Sequence, residues 1–196
     1  MGYNCCTKPK GDGYMEISLC SHRPSGEIEA VEQACYELLD KLKIDYIAAE
    51  HPEAASMDEL VPVAAALECP IHKNLFLTNR QQSEFYLLIM PADKPFKTKY
   101  LSKQAGTARL SFASPEQLFD CLGVKSGSAS VLALANDSEN KVSLFVDREV
   151  LKSEYFGCHP CKNAASLKIK TDDIFNIFLP HVQREPLFVD LPWEVE

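Results

Sequence analysis

The chain has 196 residues, 46% of them hydrophobic and 24% charged, so it is long enough to bury the core of one domain. Its formal net charge of −8 argues against strong nonspecific binding to nucleic acid. No apolar run approaches the roughly 18 residues that a membrane span needs, and no apolar leader opens the chain. We therefore expect a cytoplasmic protein with no membrane partner.

The first part of the chain lacks hydrophobic periodicity. Residues 1–24 mix glycine, proline, lysine and cysteine, which predicts an extension that is poorly ordered or loosely packed. Residues 25–196 form the predicted single domain. Apolar residues at helical spacing between Ile28 and Leu42 predict its first helix, and residues 46–49 its first strand. A capping-box pattern over residues 56–59 opens a second helix, which Pro62 kinks or restarts.

A hairpin and two helices are predicted in the middle of the chain. Residues 75–78 and 84–90 are apolar strand candidates, and the polar residues 79–83 join them. A helix over residues 99–105 ends at Gly106, and residues 110–112 form a short strand. Ser114, Pro115 and Gln117 have the pattern of an N-cap, a first helical position and N3, and Gly123 ends that helix.

The last third of the chain alternates loops with short elements. Residues 125–130 form a loop, and residues 131–135 and 142–146 are predicted as strands that pair across a turn. A strand around residues 166–169 follows. Thr171 is predicted to cap a helix that reaches Phe178 and is stopped by Pro180, and residues 187–189 form a last strand. This irregular alternation predicts an α+β fold with a mixed sheet rather than a doubly wound parallel one.

One stretch is basic although the whole chain is acidic. From residue 94 to residue 109 there are five basic residues and no acidic one. Such a run is ordinarily a solvated helix face, and it is also the composition of a patch that binds a phosphate backbone. The five residues are Lys94, Lys97, Lys99, Lys103 and Arg109.

Cys158 and Cys161 have the spacing of a thioredoxin-like redox pair or of half a zinc site. The redox pair sits at a turn from a strand to a helix, whereas residues 163–165 here lead into a predicted strand. No second pair of cysteines has a matching spacing. A thiol redox or metal-binding protein therefore stays an alternative, while the leading interpretation has no metal and no cofactor.

Lys73 and Asn74 open an apolar strand. A lysine beside an amide can hold a phosphate or a carbonyl oxygen, although a lysine at a strand start commonly points into solvent, and spacing alone favours the second interpretation. A serine nucleophile has little support, because Val131 replaces the glycine that would complete a nucleophile elbow over residues 127–131.

Four segments, in order along the chain, together resemble the prolyl-tRNA synthetase editing-domain family, which has the YbaK-like fold. They are residues 50–60 (EHPEAASMDEL), 73–77 (KNLFL), 110–131 and 157–166. The resemblance extends from about Ile28 to Asp190 and is strongest to the freestanding alanyl-tRNA(Pro) deacylases. It implies a largely antiparallel, curved sheet flanked by helices, with residues 25–196 as one aminoacyl-tRNA editing domain.

The resemblance implies hydrolysis of the ester that joins a mischarged amino acid to the tRNA 3′ end, without a metal or a covalent nucleophile. Lys73 would hold the terminal nucleotide or the ester oxygens, His159 would orient the substrate, and N–H groups of the 127–131 loop would bind the developing oxyanion. The implied catalytic residues are Lys73, Gly127, Ser128, Ala129, Ser130 and His159, and the implied substrate-binding residues are His51, Asn74, Val131 and Asn163.

The implied partner is tRNA(Pro) mischarged with alanine. A synthetase pocket built for proline rejects alanine poorly, because a missing methylene discriminates by only about 1–3 kcal/mol. The five basic residues would then contact the tRNA acceptor stem, and a homodimer is compatible with this interpretation. The family usually has proline where this chain has Val131. A noncatalytic protein that binds aminoacyl-tRNA or regulates is therefore one alternative, and a Cys-tRNA(Pro) deacylase is another.

Overall fold

The computed structural model describes residues 15–24 and 28–194. Most of the predicted extension lies outside these residues. Within them, Ser18–Cys20 forms strand β1, which the sequence pattern did not predict and which pairs antiparallel with β2, Tyr46–Glu50. The division into an extension and a single domain stays a prediction.

The first sheet is antiparallel and has the strand order β1-β2-β8-β7, with β7 at Tyr155–Cys158 and β8 at Ala165–Lys170. Helix α1, Ala30–Leu42, buries Tyr36 and Leu39 in the same core cluster as Ala48 of β2 and Leu167 of β8. The predicted first helix and first strand are thus confirmed. The periodic apolar face of α1 explains why it covers this sheet.

The second sheet has the order β5-β3-β4-β6-β9. Its central hairpin consists of β3, His72–Thr78, and β4, Phe85–Pro91, as the sequence predicted. The other strands are β5, Ser111–Phe112, β6, Val142–Asp147, and β9, Leu187–Val189. Strands β4, β6 and β9 run parallel and the other pairs are antiparallel. The predicted class, an α+β fold with a mixed, largely antiparallel sheet, is confirmed.

The two sheets meet at a single described bridge between Ile71 and Gly157. The N–H of Gly157 donates to the carbonyl of Pro70 at 3.0 Å. A Cβ atom at Gly157 would lie 2.4 Å from that carbonyl oxygen and 2.9 Å from Cα of Ile71. Only glycine therefore permits this approach, which places the start of β3 beside the end of β7.

Two middle helices follow the local sequence signals closely. Helix α3, Thr98–Ala105, ends at Gly106, whose φ is 64°. Helix α4, Pro115–Leu122, has the full capping box, in which the Ser114 side chain accepts from the Gln117 N–H and the Gln117 side chain accepts in return. It ends at Gly123, whose φ is 65°. Both glycines occupy the left-handed conformation that a helix C-terminus requires.

The second helix begins differently from the prediction. A 3₁₀ turn, Asp58–Leu60, precedes α2, Val61–Leu67, so Pro62 restarts the helix, which was one of the two expected outcomes. Ser56 makes no cap. Instead the carboxylate of Glu59 accepts from the N–H of Ala55 at 2.9 Å.

The prediction of a strand over residues 131–135 is wrong. Val131–Asn136 is a 3₁₀ helix, whose start is capped by Ser130 Oγ accepting from the Leu132 N–H at 3.2 Å. Four consecutive buried side chains favour this tight turn over a strand with one exposed face. Strand β6 consequently pairs in parallel with β4 rather than back onto these residues.

The C-terminal helix also departs from its prediction. It comprises α5, Thr171–Asp173, a π-helical turn, Ile174–Phe178, and α6, Leu179–His181. Thr171 does not cap it, because its hydroxyl donates to the Ser153 carbonyl at 2.6 Å. Pro180 lies inside the last stretch, where the preceding π turn has already interrupted the regular hydrogen-bond pattern. In the described part of the chain, every helix is too short or too polar to cross a bilayer.

Candidate active site

The loop over residues 125–131 joins α4 to the 3₁₀ helix and contains the residues that the sequence predicted for oxyanion binding. Gly127 has a φ of 84°, a conformation that glycine adopts without strain. The Ser128 N–H is already used, since it donates to the Lys125 carbonyl at 3.0 Å. Among the described residues, no acceptor is found for four other amides of the predicted site, those of Gly127, Ala129, Ser130 and Val131.

Two histidine segments flank this loop. Ser130 Oγ donates to the backbone carbonyl of His159 at 2.7 Å, which ties the loop to the end of β7. His51 lies 2.8 Å from the Pro52 carbonyl through Nδ1 and 3.0 Å from Ser166 Oγ through Nε2. Because a carbonyl only accepts, Nδ1 of His51 carries the proton and Nε2 accepts from the Ser166 hydroxyl.

Both histidines are held in their neutral forms. Burial lowers the pKa of His51 below its usual value. Burial first, and the neighbouring His51 second, lower the pKa of His159 to about 4. His159 nevertheless retains some solvent exposure, so a small substrate group can reach it. Neutral rings of this kind can orient a substrate or a water molecule, and they do not add positive charge to the site.

A cleft of about 350 Å³ opens between the start of α1 and the loop. Ser128 and Asn163 of the predicted set line it. The Asn163 side chain donates to the Ala54 carbonyl at 2.6 Å, and its nitrogen would lie 3.6 Å from a Cβ at Gly127. Glu29 also lines the cleft and is held by Lys125 and Lys162 at 3.3 and 3.5 Å. The structure thus brings the 51–54, 127–131 and 159–166 segments into one neighbourhood.

Lys73 lies at the start of β3, two residues beyond the bridge that joins Ile71 to Gly157. Its ammonium donates to the carbonyl of Ala92 at 3.2 Å and to the carbonyl of Lys94. Both partners belong to the loop after β4 and not to the 127–131 loop. Burial lowers the pKa of Lys73, and nearby Asp93 partly opposes that shift. The Lys73 side chain is therefore half-buried and already hydrogen-bonded. This contradicts the interpretation that it points freely into solvent.

Asn74 and His72 share the opposite face of β3, because side chains alternate along a strand. The side-chain nitrogen of Asn74 donates to the His72 carbonyl at 3.1 Å. In the described part of the chain, neither Oδ1 of Asn74 nor Nδ1 of His72 has a hydrogen-bond partner, and both atoms are buried. Buried polar atoms of this kind are candidates to receive a ligand group.

Lys94 does not belong to a tRNA-binding surface, and that prediction is wrong. Its side chain is 2% exposed and its ammonium lies 2.7 Å from Asp147 Oδ2. A buried ammonium with its own carboxylate partner cannot reach a phosphate group. Sequence reasoning missed Asp147, because its partner is 53 residues away along the chain and no local pattern joins them.

The other basic residues are exposed, as the prediction requires. Lys97, Lys99 and Arg109 line one open groove between α3 and β5, while Lys103 lies on α3 outside that groove. Phe112 lines the same groove and is 62% exposed, and it was not among the predicted site residues. The sequence signal that could have identified Phe112 is its place as an aromatic residue at the end of a basic stretch.

The cysteine alternative loses support from the environment of its thiols. Cys158 is fully buried, and burial raises its pKa well above the usual range, with Cys161 adding to the effect. A redox-active thiol needs the opposite shift, toward the thiolate. Across residues 15–24 and 28–194, no three potential metal-binding side chains of His, Cys, Asp or Glu form a group.

The fold and the site together define a class of protein. It is a mixed-sheet domain in which a glycine-containing loop lies beside two neutral histidines. Residues 51–177 match the family described as the aminoacyl-tRNA editing domain, which is more than half of the chain. The chain therefore belongs to the aminoacyl-tRNA editing-domain family, with the YbaK-like fold that its sequence resemblance predicted.

Relatives agree with this membership, and a solved structure shares the fold. The chain is 32% identical over 155 residues to prolyl-tRNA synthetase associated domain-containing protein 1 of Danio rerio, covering 78% of this chain and 83% of the relative. It is 29% identical over 146 residues to the prolyl-tRNA editing protein ProX of Acetoanaerobium sticklandii, covering 74% and 89%. A solved structure of a candidate trans-editing enzyme for prolyl-tRNA synthetase superposes with a TM-score of 0.61 at 12% identity, covering 85% of this chain and all of that one, and so shares the fold.

Proposed function

We propose that this protein is a trans-editing deacylase that hydrolyses the ester of mischarged tRNA(Pro), with Ala-tRNA(Pro) as its substrate. The observation that carries the proposal is the set of loop amides at Gly127, Ala129 and Ser130, which have no acceptor among the described residues. A cytoplasmic location, where aminoacyl-tRNA is made and used, is part of the proposal.

The loop would stabilise the negative charge that develops on the ester carbonyl oxygen. Backbone N–H groups fixed before the reaction are worth about 10²–10³ in rate for each donor. The hydrogen bond from Ser130 Oγ to the His159 carbonyl fixes the loop, so its amides need no rearrangement during the reaction. The family commonly has proline at the position of Val131, and proline has no N–H, so the Val131 amide is not a required donor.

Lys73 would bind a phosphate or an ester oxygen of the terminal nucleotide. Its ammonium must then exchange the carbonyls of Ala92 and Lys94 for the substrate oxygen. A charged acceptor makes the stronger hydrogen bond, which favours this exchange. The unpartnered Oδ1 of Asn74 is an acceptor that would suit the ammonium group of the aminoacyl moiety.

The attacking water would be aligned by the loop and by the ribose hydroxyl of the substrate. His51 and His159 would orient the substrate in their neutral forms, since their pKa values are lowered. This proposal needs neither a covalent nucleophile nor a charged side chain that acts as a general base. On this proposal, alanine would enter a site that excludes proline, which would supply the discrimination that the synthetase pocket lacks.

A deacylation assay with three substrates tests the proposal. The protein would be incubated with Ala-tRNA(Pro), Cys-tRNA(Pro) and Pro-tRNA(Pro), and the release of each amino acid would be measured. We expect fast release of alanine and none of proline, whereas preferential release of cysteine would support the Cys-tRNA(Pro) alternative. No release above the spontaneous rate would contradict catalysis.

Lys73→Ala is the informative variant. Loss of a charge-assisted hydrogen bond should lower kcat/KM by about 10- to 100-fold. Lys41→Ala, at an exposed lysine of α1, serves as the matched control and should keep the full activity. If the wild-type protein is inactive and Lys73→Ala changes only tRNA binding, the noncatalytic alternative is favoured.

A further inference from the structure

The cleft beside the 127–131 loop contains an ion-pair cluster at which three segments of the chain meet. The Glu29 carboxylate, at the start of α1, lies 3.4 and 3.3 Å from Nζ of Lys125 through Oε1 and Oε2. Its Oε1 also lies 3.5 Å from Nζ of Lys162, which follows β7. All three residues line the cleft of about 350 Å³. One carboxylate therefore joins three walls of the candidate active site.

Both lysines have a partner, and an external anion can replace that partner. The side chains of Lys125, Lys162 and Glu29 are 75%, 28% and 44% exposed. Lys125 in the first place, and Lys162 with it, lower the pKa of Glu29, so the carboxylate is ionised at neutral pH. Exposed ion pairs are weak, because water and salt screen them. The two ammonium groups thus already hold an anion, and a phosphate oxygen makes charge-assisted hydrogen bonds of the same kind.

The charges that line the cleft are balanced. Glu53 lines it as a second acidic residue, and in the described part of the chain it forms no ion pair with either lysine. Two glutamates and two lysines leave the lining without an excess of positive charge. An entering anion therefore gains little from the overall field, and it is held only where it replaces Glu29 between the lysines.

The rest of the lining suits one nucleotide. Phe119 of α4 is 58% exposed, which leaves ring surface in solvent for a base to stack on. Ser128 and Asn163 line the same cleft, so a group bound there lies beside the 127–131 loop. The volume is near the lower end of the range for small-molecule sites, about 300–1,000 Å³.

We propose that the cleft binds the 3′-terminal nucleotide of the tRNA, whose phosphate displaces the Glu29 carboxylate from Lys125 and Lys162. The base of that nucleotide stacks on Phe119. This inference rests on the proposed function for the identity of the nucleic acid. Of the two groups proposed for Lys73, the ester oxygen then remains. Glu29 acts as an internal competitor, because the apparent affinity falls with the fraction of molecules in which the lysines are free to exchange.

Calorimetric titration of the full-length protein with the dinucleotide cytidylyladenosine (CpA) tests the inference without any hydrolysis. CpA has one phosphodiester and a terminal adenosine, whereas adenosine alone and inorganic phosphate each supply one part of the ligand. We expect CpA to bind about tenfold more tightly than either part. Lys125→Gln and Lys162→Gln should each weaken CpA binding about fivefold, because one charge-assisted hydrogen bond is lost.

Glu29→Gln separates displacement from a purely structural ion pair. Displacement predicts that this variant binds CpA about threefold more tightly, because the competitor has lost its charge. A structural role predicts weaker binding, since the walls of the cleft lose their connection. Glu53→Gln is the matched control, because it removes the same charge from the lining without touching the ion pair, and it should change the affinity much less. Lys41→Gln, at an exposed lysine near the other end of α1, should bind as the wild type does.

Phe119 has its own pair of variants. Phe119→Ala should weaken CpA binding about tenfold, as the loss of one base–aromatic stack does, and Phe119→Tyr, which keeps the ring, should retain it. Circular dichroism and thermal melting would establish that Phe119→Ala is folded, which its exposure predicts.

Four outcomes would overturn the inference. They are no gain in affinity from Glu29→Gln, an equal gain from Glu53→Gln, wild-type affinity in both lysine variants, and equal binding of CpA and inorganic phosphate. Failure of the proposed function has a different signature, namely CpA binding that follows these expectations without release of any amino acid from the three charged tRNAs.

Discussion

The ammonium of Lys94 lies 2.7 Å from Oδ2 of Asp147, and both side chains are almost completely buried. The ring of Trp193 covers that ammonium at 5.0 Å from its centroid. The backbone carbonyl of Lys94 also accepts a hydrogen bond from the Lys73 ammonium. One residue thus connects an ion pair, the C-terminal segment and the lysine on which the proposed function depends.

Asp147→Asn should lower the free energy of unfolding by about 3–5 kcal/mol, because it leaves a buried ammonium without its counter-charge. Urea denaturation measures this change. The double variant Lys94→Met, Asp147→Leu should recover part of the loss, because it removes both buried charges. It also removes Asp147 Oδ1, which accepts from the Glu149 N–H at 3.0 Å, so the recovery is incomplete. Glu149→Gln, which breaks an exposed pair with Lys152, is the control and should leave the unfolding transition almost unchanged. Wild-type stability of Asp147→Asn would contradict the role of the pair.

His72 should make the protein sensitive to acid. It is 3% exposed, its ring centroid lies 4.6 Å from that of Phe156, and burial lowers its pKa from 6.5 to about 4. The unfolded chain therefore binds this proton more readily than the folded one. The stability from neutral His72 is complete above about pH 6.5 and is lost as the pH falls toward 4. From this residue alone, we expect about 2 kcal/mol less stability at pH 5 than at pH 7.

Urea denaturation at the two pH values measures the effect of His72. His72→Leu should remove that part of the pH dependence, whereas His22→Gln, at an exposed histidine, should retain it. An unchanged pH dependence in His72→Leu would show that the acid sensitivity arises elsewhere, for example at His159.

Gly157→Ala should disrupt the junction of the two sheets. The new methyl group would lie 2.4 Å from the Pro70 carbonyl oxygen, a backbone atom that cannot move aside cheaply. We expect a loss of about 3 kcal/mol in the free energy of unfolding. Gly106→Ala is the matched comparison, because its Cβ meets no described atom within 4 Å and only the left-handed φ of 64° is strained, at about 1 kcal/mol. Equal thermal shifts for the two variants would contradict this explanation.

Val131→Pro should be tolerated and should preserve deacylation. Val131 is the first residue of its 3₁₀ helix, a position that proline favours, and Ser130 has the extended φ and ψ of −145° and 150° that a residue before proline requires. We expect a gain of about 0.4–1 kcal/mol from the stiffer unfolded chain. Thermal melting and the Ala-tRNA(Pro) assay measure the two effects. A large loss of activity would assign the Val131 N–H to the oxyanion site.

The parts of the fold that short-range interactions decide could be predicted from the sequence. The Ser114 and Gln117 capping box, the glycines that end α3 and α4, and the β3–β4 hairpin all depend on residues close together in the chain. Such turns and caps have the same geometry in any tertiary context. The family resemblance likewise rests on short segments in order along the chain, and the family model that matches residues 51–177 confirms it.

Tertiary structure decided the rest, because those outcomes depend on residues far apart in the chain. Residues 131–136 resemble a strand in composition but form a 3₁₀ helix under a Ser130 cap, so β6 pairs with β4. Lys94 belongs to a basic run, yet it is buried in an ion pair with Asp147. Phe112 lines the groove together with Lys97, Lys99 and Arg109. Burial and long-range pairing are set by packing against distant residues, and a sequence pattern does not contain those distances.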